Sequence, residues 1–300
     1  MKTLKVILIT IVLLSLSACG RKPSAPSVSS GKLDSYPSFP SSYVSPRAIR
    51  VWTPSSYDPS VKYDVLYMHD GQMLFDSLFS WNHQEWGVDE ALDSLMALGK
   101  VRPCIVVGID NTKERLPEYC PDDVEQLLPS GMTPYKGLPS KGNAYLKFIV
   151  EELKPFVDST YSTDPSREHT FMMGSSCGGL ISSYALCKYP DVFGGVACLS
   201  THCTLAYPDV KSKDATVGDA YREYLRTHLP PANTAKLYMD NGDGTLDGSY
   251  VKPQNAINEA ILSMGWDGEH FMAKYYPGHS HCEDDWRSRL DGPLEFLLSR

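Results

Sequence analysis

Apolar runs of strand length alternate with helix-periodic stretches along most of this chain, and that alternation leaves few architectures open. Residues 61–68, 104–109, 170–173, 195–199, 236–239 and 271–276 read as strands. Between and after them, residues 86–98, 144–157, 179–188, 256–264 and 286–298 carry apolar positions at helical spacing. Apolar strands separated by helices predict an α/β class, with a mostly parallel central sheet covered by helices on both faces. In open sheets of this kind, ligands gather beyond the carboxyl ends of the strands. Residues just after each strand are therefore where chemistry is sought.

The N-terminal segment reads differently. A basic start, Met1 to Lys5, precedes an apolar run from Val6 to Leu16 and then Ser17-Ala18-Cys19. About eleven apolar residues fall short of the roughly twenty that span a bilayer, but they suit a signal-peptide core. Leu16-Ser17-Ala18-Cys19 has the form of a bacterial lipobox, so residues 1–19 are expected to be a lipoprotein signal peptide. Lipidation of Cys19 would place the protein in the cell envelope, anchored in the outer membrane or facing the periplasm. Residues 20–45, rich in Ser and Pro, are expected to be a flexible tether, and residues 46–300 a single catalytic domain.

The net charge is −8 and the Lys and Arg residues are scattered, which argues against nucleic acid as a partner. Cys104, Cys187 and Cys198 lie in apolar patterns and are expected as buried thiols. Cys120, Cys203 and Cys282 fall in expected loops, where an oxidising compartment permits one bridge.

The strongest chemical signal is Gly174-Ser175-Ser176-Cys177-Gly178-Gly179, set between the strand at 170–173 and the helix at 179–188. Gly-x-Ser-x-Gly in a strand–turn–helix setting is a nucleophile elbow: the turn is sterically tight and lifts the serine hydroxyl clear. Ser176 is the expected nucleophile. A serine needs a base, and the base an orienting acid, in the chain order Ser, acid, His. His279 and His281 follow the last strand in a loop, while Asp243 and Asp247 follow the strand at 236–239. The residues alone leave each choice open. A calcium loop at 240–247 is disfavoured, because Gly242 and Thr245 stand where Asp/Asn and Gly are required. Zinc at 279–283 lacks a second ligand cluster, so no metal or cofactor is expected. The oxyanion of an acyl-transfer step needs two N–H donors. Cys177, after the nucleophile, and Gln72, after Gly71 in the turn that follows the strand at 61–68, are expected to supply them.

His69-Asp70-Gly71-Gln72-Met73-Leu74-Phe75-Asp76 resembles the "DGQNLFD" segment of the esterase family that includes esterase D, enterochelin esterases, and feruloyl and acetyl-xylan esterases of carbohydrate esterase family one. The likeness continues through Glu85 to Glu90, Gly108 to Asn111, Arg115, Glu118 to Pro121, Gly174 to Tyr184 and Tyr189 to Gly195. It closes with Leu246-Asp247, then His281, Glu283 and Trp286-Arg287. The resemblance implies an α/β-hydrolase fold and a Ser–acid–His triad with no metal. It favours His281 as base and Asp247 as acid. The family's Glu in its Gly-Thr-Glu-Thr-Leu-Asp pattern is Gly244 here, which keeps Asp243 as the alternative acid.

A serine carboxylic-ester hydrolase working through an acyl-enzyme is therefore expected, acting on acetyl or feruloyl esters of carbohydrates. A siderophore esterase, an acyltransferase with the same triad and a non-catalytic binding module are the alternatives. Asn111, Arg115, Glu118 and Tyr119 are expected to bind substrate, and Trp81 to stack on a sugar or aromatic acid.

Overall fold

The computed structural model describes residues 25–128, 138–205 and 214–299; the expected signal peptide and Cys19 lie outside them. Among the described residues, no helix is long and apolar enough to cross a membrane. An eight-stranded sheet forms the centre, in the order β1-β2-β4-β3-β5-β6-β7-β8. The strands are β1 (Lys32–Phe39), β2 (Arg47–Thr53), β3 (Asp64–His69), β4 (Cys104–Ile109), β5 (Thr170–Ser175), β6 (Gly195–Leu199), β7 (Lys236–Asn241) and β8 (Phe271–Tyr275). β1 and β2 pair antiparallel with each other and β2 with β4; every pair from β4 to β8 is parallel.

Strand side chains alternate between faces, and here both faces are covered. In β3, Val65 and Tyr67 enter one core while Leu66 and Met68 enter the other. That two-sided burial explains why the central strands are continuous apolar runs. The helices are α1 (Val88–Ala97), the short turns α2 (Arg115–Glu118) and α3 (Asp122–Glu125), α4 (Gly142–Lys147), α5 (Lys154–Thr160), α6 (Cys177–Lys188), α7 (Asp214–His228), α8 (Val251–Ser263), α9 (Glu283–Ser288) and α10 (Asp291–Leu298). Apolar residues of α4 to α8 close the first core; those of α1, α9 and α10 close the second.

Some expectations change. The tether expected over 20–45 is, from Ala25 onward, part of the folded body: β1 lies inside that range as one of the sheet's two edge strands. Its serines are hydrogen-bond donors. Ser27 N and Oγ donate to Asp76 Oδ2 at 2.8 and 2.9 Å, and Ser29 N to Asp89 Oδ2 at 2.7 Å. Composition could not separate a serine-rich flexible chain from one whose donors have buried carboxylates to meet. The helix expected at 144–157 spans α4 and α5, joined by a π-helical stretch, Phe148–Leu153. The helix expected at 286–298 divides into α9 and α10 around Arg289. The seven described cysteines are all free thiols, so the structure contains no bridge among Cys120, Cys203 and Cys282.

Candidate active site

β5 ends at Ser175, and the chain turns at Ser176 into α6 with φ 56° and ψ −123°. A non-glycine residue in that region carries strain on the order of 1–3 kcal/mol, and the surrounding structure holds it there. Ser176 N donates to Leu199 O at 2.9 Å, and His202 N donates to Ser176 O at 3.0 Å. The turn has no room for neighbouring side chains. A Cβ on Gly174 would meet Gly178 C at 2.8 Å and His69 Cδ2 at 2.9 Å.

His281 lies in the loop between β8 and α9, reached across the carboxyl end of the sheet. Its Nδ1 is 2.6 Å from Asp247 Oδ1, and Asp247 is fully buried. Asp247 Oδ2 accepts from Ser200 Oγ at 2.6 Å and from Gly242 N at 2.7 Å. Burial opposes ionisation of this carboxyl, yet the bonds from His281, Ser200 and Gly242 outweigh it and hold it below the ordinary carboxylate range. The imidazole packs edge-on between Trp286, at 5.0 Å, and Tyr250, at 5.7 Å.

Asp243, the alternative acid, is solvent-exposed and occupied elsewhere: it accepts from Tyr275 OH at 2.6 Å and Gly278 N at 2.7 Å. Gly244, the departure from the family pattern, sits close against the next loop. A Cβ there would come within 2.6 Å of Ser280 Oγ, because the loop bearing His279 and Ser280 packs on this turn. The His279 ring has its Nδ1 3.3 Å from Arg289 Nη1. Although the His279 carbonyl accepts from Asp243 N at 3.1 Å, the ring is not hydrogen-bonded to the carboxylate of Asp243 or Asp247.

Ser176 and His281 line one cleft of about 560 Å³, together with Asp70, Met73, Trp81, Asn82, Trp86, Asn111, Arg115, Ser175, Cys282, Glu283 and Trp286. Asn111 and Arg115, expected to bind substrate, are in this wall. Both are held by Asp70: Arg115 Nε and Nη2 bond its two oxygens at 2.8 and 2.7 Å, and Asn111 Nδ2 bonds it at 2.6 Å. Trp81 stands at the mouth, 76 % exposed. Gln72 occupies the middle of the 3-10 turn Gly71–Met73, with its side chain accepting from Asn111 N at 3.1 Å. Cys177 is buried at the first position of α6.

Glu118 and Tyr119 are corrections. Glu118 is 1 % exposed and Tyr119 fully buried. Glu118 takes a two-pronged bond from Arg47, Nη1 to Oε2 at 2.9 Å and Nη2 to Oε1 at 2.7 Å. Its charge ties the α2 turn to β2 rather than facing substrate. Sequence reasoning assigned no role to Ser200, His202 or Glu283. Ser200 and His202 follow β6, where the rule about strand carboxyl ends points. Glu283 accepts from Asn82 Nδ2 at 2.6 Å, joining α9 to the loop of Trp81, and burial pushes its carboxyl up.

Two buried histidines add an acid dependence. Burial brings both His69 and His202 down from 6.5 to about 3. Their folded values are depressed, so below pH 6.5 the unfolded chain binds more protons. Stability is fully present above that value and is lost as pH falls toward 3, by about 1.4 kcal/mol per pH unit for each histidine. Denaturant unfolding at pH 7, 6 and 5 should show a shallower decline for His202→Gln than for the parent protein. Equal declines would mean that His202 takes up no proton on unfolding.

The family model described as "Putative esterase" matches residues 41–297. The curated relatives include Uncharacterized protein YbbA of Bacillus subtilis, 28% identical over 155 residues, which are 51% of this chain and 56% of that protein. The Iron(III) salmochelin esterase of Escherichia coli is 24% identical over 246 residues, 81% of this chain and 52% of that protein. The match thus spans little more than half the length of these relatives. Among solved structures, a ferulic acid esterase superposes with a TM-score of 0.63 at 20% identity, covering 89% of this chain and 98% of its own. That likeness is one of fold. With the family match running from β2 to α10 and the elbow within it, the chain belongs to this esterase family.

Proposed function

We propose that the protein is a serine carboxylic-ester hydrolase. The observation that carries the reading is the bond from His281 to the buried Asp247, together with a strained Ser176 that lines the same cleft as His281. Ser176 Oγ attacks the ester carbonyl, and His281 Nε2 takes its proton, since Nδ1 is engaged by Asp247. The tetrahedral intermediate is held by the backbone N–H groups of Cys177 and Gln72. It collapses as the alkoxide leaves with the proton from His281. Water, activated by the same imidazole, then releases the acid and restores the serine.

For the substrate, we infer acyl esters of carbohydrates, with acetyl or feruloyl as the acyl group. Trp81, Trp86 and Trp286 give the cleft flat apolar walls, and Asn82, Asn111 and Glu283 give it polar contacts for hydroxyls. A siderophore ester is the second reading, favoured by the similarity over 81% of this chain to a protein named as a salmochelin esterase. The proposal includes a lipid anchor at Cys19, tested by membrane partitioning of the full chain against Cys19→Ser.

Initial rates with methyl ferulate, an acetylated xylo-oligosaccharide and a catecholate triester test the substrate class. The carbohydrate reading expects the highest kcat/KM on one of the first two. A catecholate triester preferred by more than about tenfold, a difference of about 1.4 kcal/mol, would replace it with the siderophore reading.

A further inference from the structure

Ser200 follows β6 directly, with its backbone in the left-handed region at φ 44°. Its neighbour Leu199 supplies the carbonyl that anchors Ser176 N. The Ser200 hydroxyl touches three groups. It lies 2.6 Å from Asp247 Oδ2, 3.0 Å from Trp286 Nε1 and 2.9 Å from Arg289 Nη2. A hydroxyl has one proton and two lone pairs, while an indole N–H and a guanidinium can only donate. Trp286 and Arg289 therefore fill both lone pairs, and the one proton is directed at Asp247. The rest of the assembly is fixed too. Arg289 is buried against Asp240, with bonds of 3.0 and 3.2 Å. Trp286 also packs edge-on against His281.

We propose that Ser200 is a positioning residue: its hydroxyl, locked by Trp286 and Arg289, holds Asp247 Oδ2 so that Oδ1 is presented to His281 Nδ1. The proposal rests on the ester-hydrolase reading of the site. Without that donor, the charge of Asp247 is shared with Gly242 N–H alone and acts more strongly on the imidazole. The imidazolium is then favoured, and the acid limb of activity moves to higher pH. The other groups facing His281 stay in place in this comparison: His202 and Tyr250 beside it, Glu283 two residues on, and the Arg289–Asp240 pair behind Ser200.

Ser200→Gly suits the left-handed backbone, and Ser200→Ala removes the same hydroxyl while retaining a Cβ. The readouts are kcat/KM for p-nitrophenyl acetate against pH, and the proton NMR titration of the His281 Nδ1–H. In both variants the limb and the NMR midpoint should rise by about half to one pH unit. KM should stay near the parent value, while kcat falls by about tenfold or more, as for an interaction that acts in the transition state. A limb and midpoint that stay where they are in the parent protein, even with kcat lowered, would make Ser200 a filler of space and overturn the proposal. If the parent protein hydrolyses no ester, the function reading fails, while the NMR midpoint still decides whether Ser200 controls the Asp247–His281 pair.

Discussion

Replacing Asp247 with Asn is expected to lower kcat by about 10⁴-fold while leaving the fold in place. The size follows from which end of the amide would face the histidine. Ser200 Oγ and Gly242 N both donate to Asp247 Oδ2, at 2.6 and 2.7 Å. An amide in this position satisfies both donors only by placing its oxygen there, which turns its NH₂ group toward His281 Nδ1. The imidazole must then accept at Nδ1 and carry its proton on Nε2, the nitrogen that should take the proton from Ser176. Steady-state kinetics, with circular dichroism to confirm folding, check this. A loss below about tenfold would mean that the acid is some other residue, with Asp243 the first to test.

The second large effect is on stability. Glu118→Ala is expected to destabilise the protein by about 3–5 kcal/mol, the usual consequence of leaving one member of a buried ion pair alone. The side chains of Arg47 and Glu118 are 1% and 2% exposed, so water cannot replace a lost partner. The guanidinium has little other support. Arg47 Nη2 also donates to Ser45 O at 3.2 Å, while its Nε is buried without a partner. It lies over the rings of Tyr145 and Phe148, 5.3 Å from each centroid. Denaturant unfolding should show the loss, with kcat/KM per folded molecule close to the parent value. Intact stability with an altered kcat/KM would instead return Glu118 to a role in binding substrate.

The sheet from β3 to β8 and the elbow were legible because their signals are local. Burial on both faces makes each parallel strand an apolar run, and a tight turn between strand and helix requires glycines at fixed places. β1 was missed for the opposite reason, and β2 because Arg47 and Arg50 interrupt its buried Ile49, Val51 and Trp52. β1 is an exposed edge strand of mixed polarity, Lys32–Phe39, and nothing in its pattern separates it from a serine-rich loop. Asp247 and His281 could be ranked only through the resemblance, since loop geometry decides which of two nearby carboxylates turns inward. Glu118 was misplaced because an ion-pairing residue after a strand looks the same in sequence whether it meets substrate or Arg47. Ser200 gave no composition signal at all; its role is created by Trp286 and Arg289, which are far from it in the chain and close to it in space.

The central claim, that Ser176 carries the acyl group, is tested most directly by covalent labelling. The protein is treated with a fluorophosphonate, residual ester hydrolysis is followed, and the adduct is located by peptide mass spectrometry. The account predicts one adduct per molecule, on the peptide containing Ser176, with activity lost in proportion to labelling. An adduct on any other residue, or activity that persists after Ser176 is fully labelled, would contradict it.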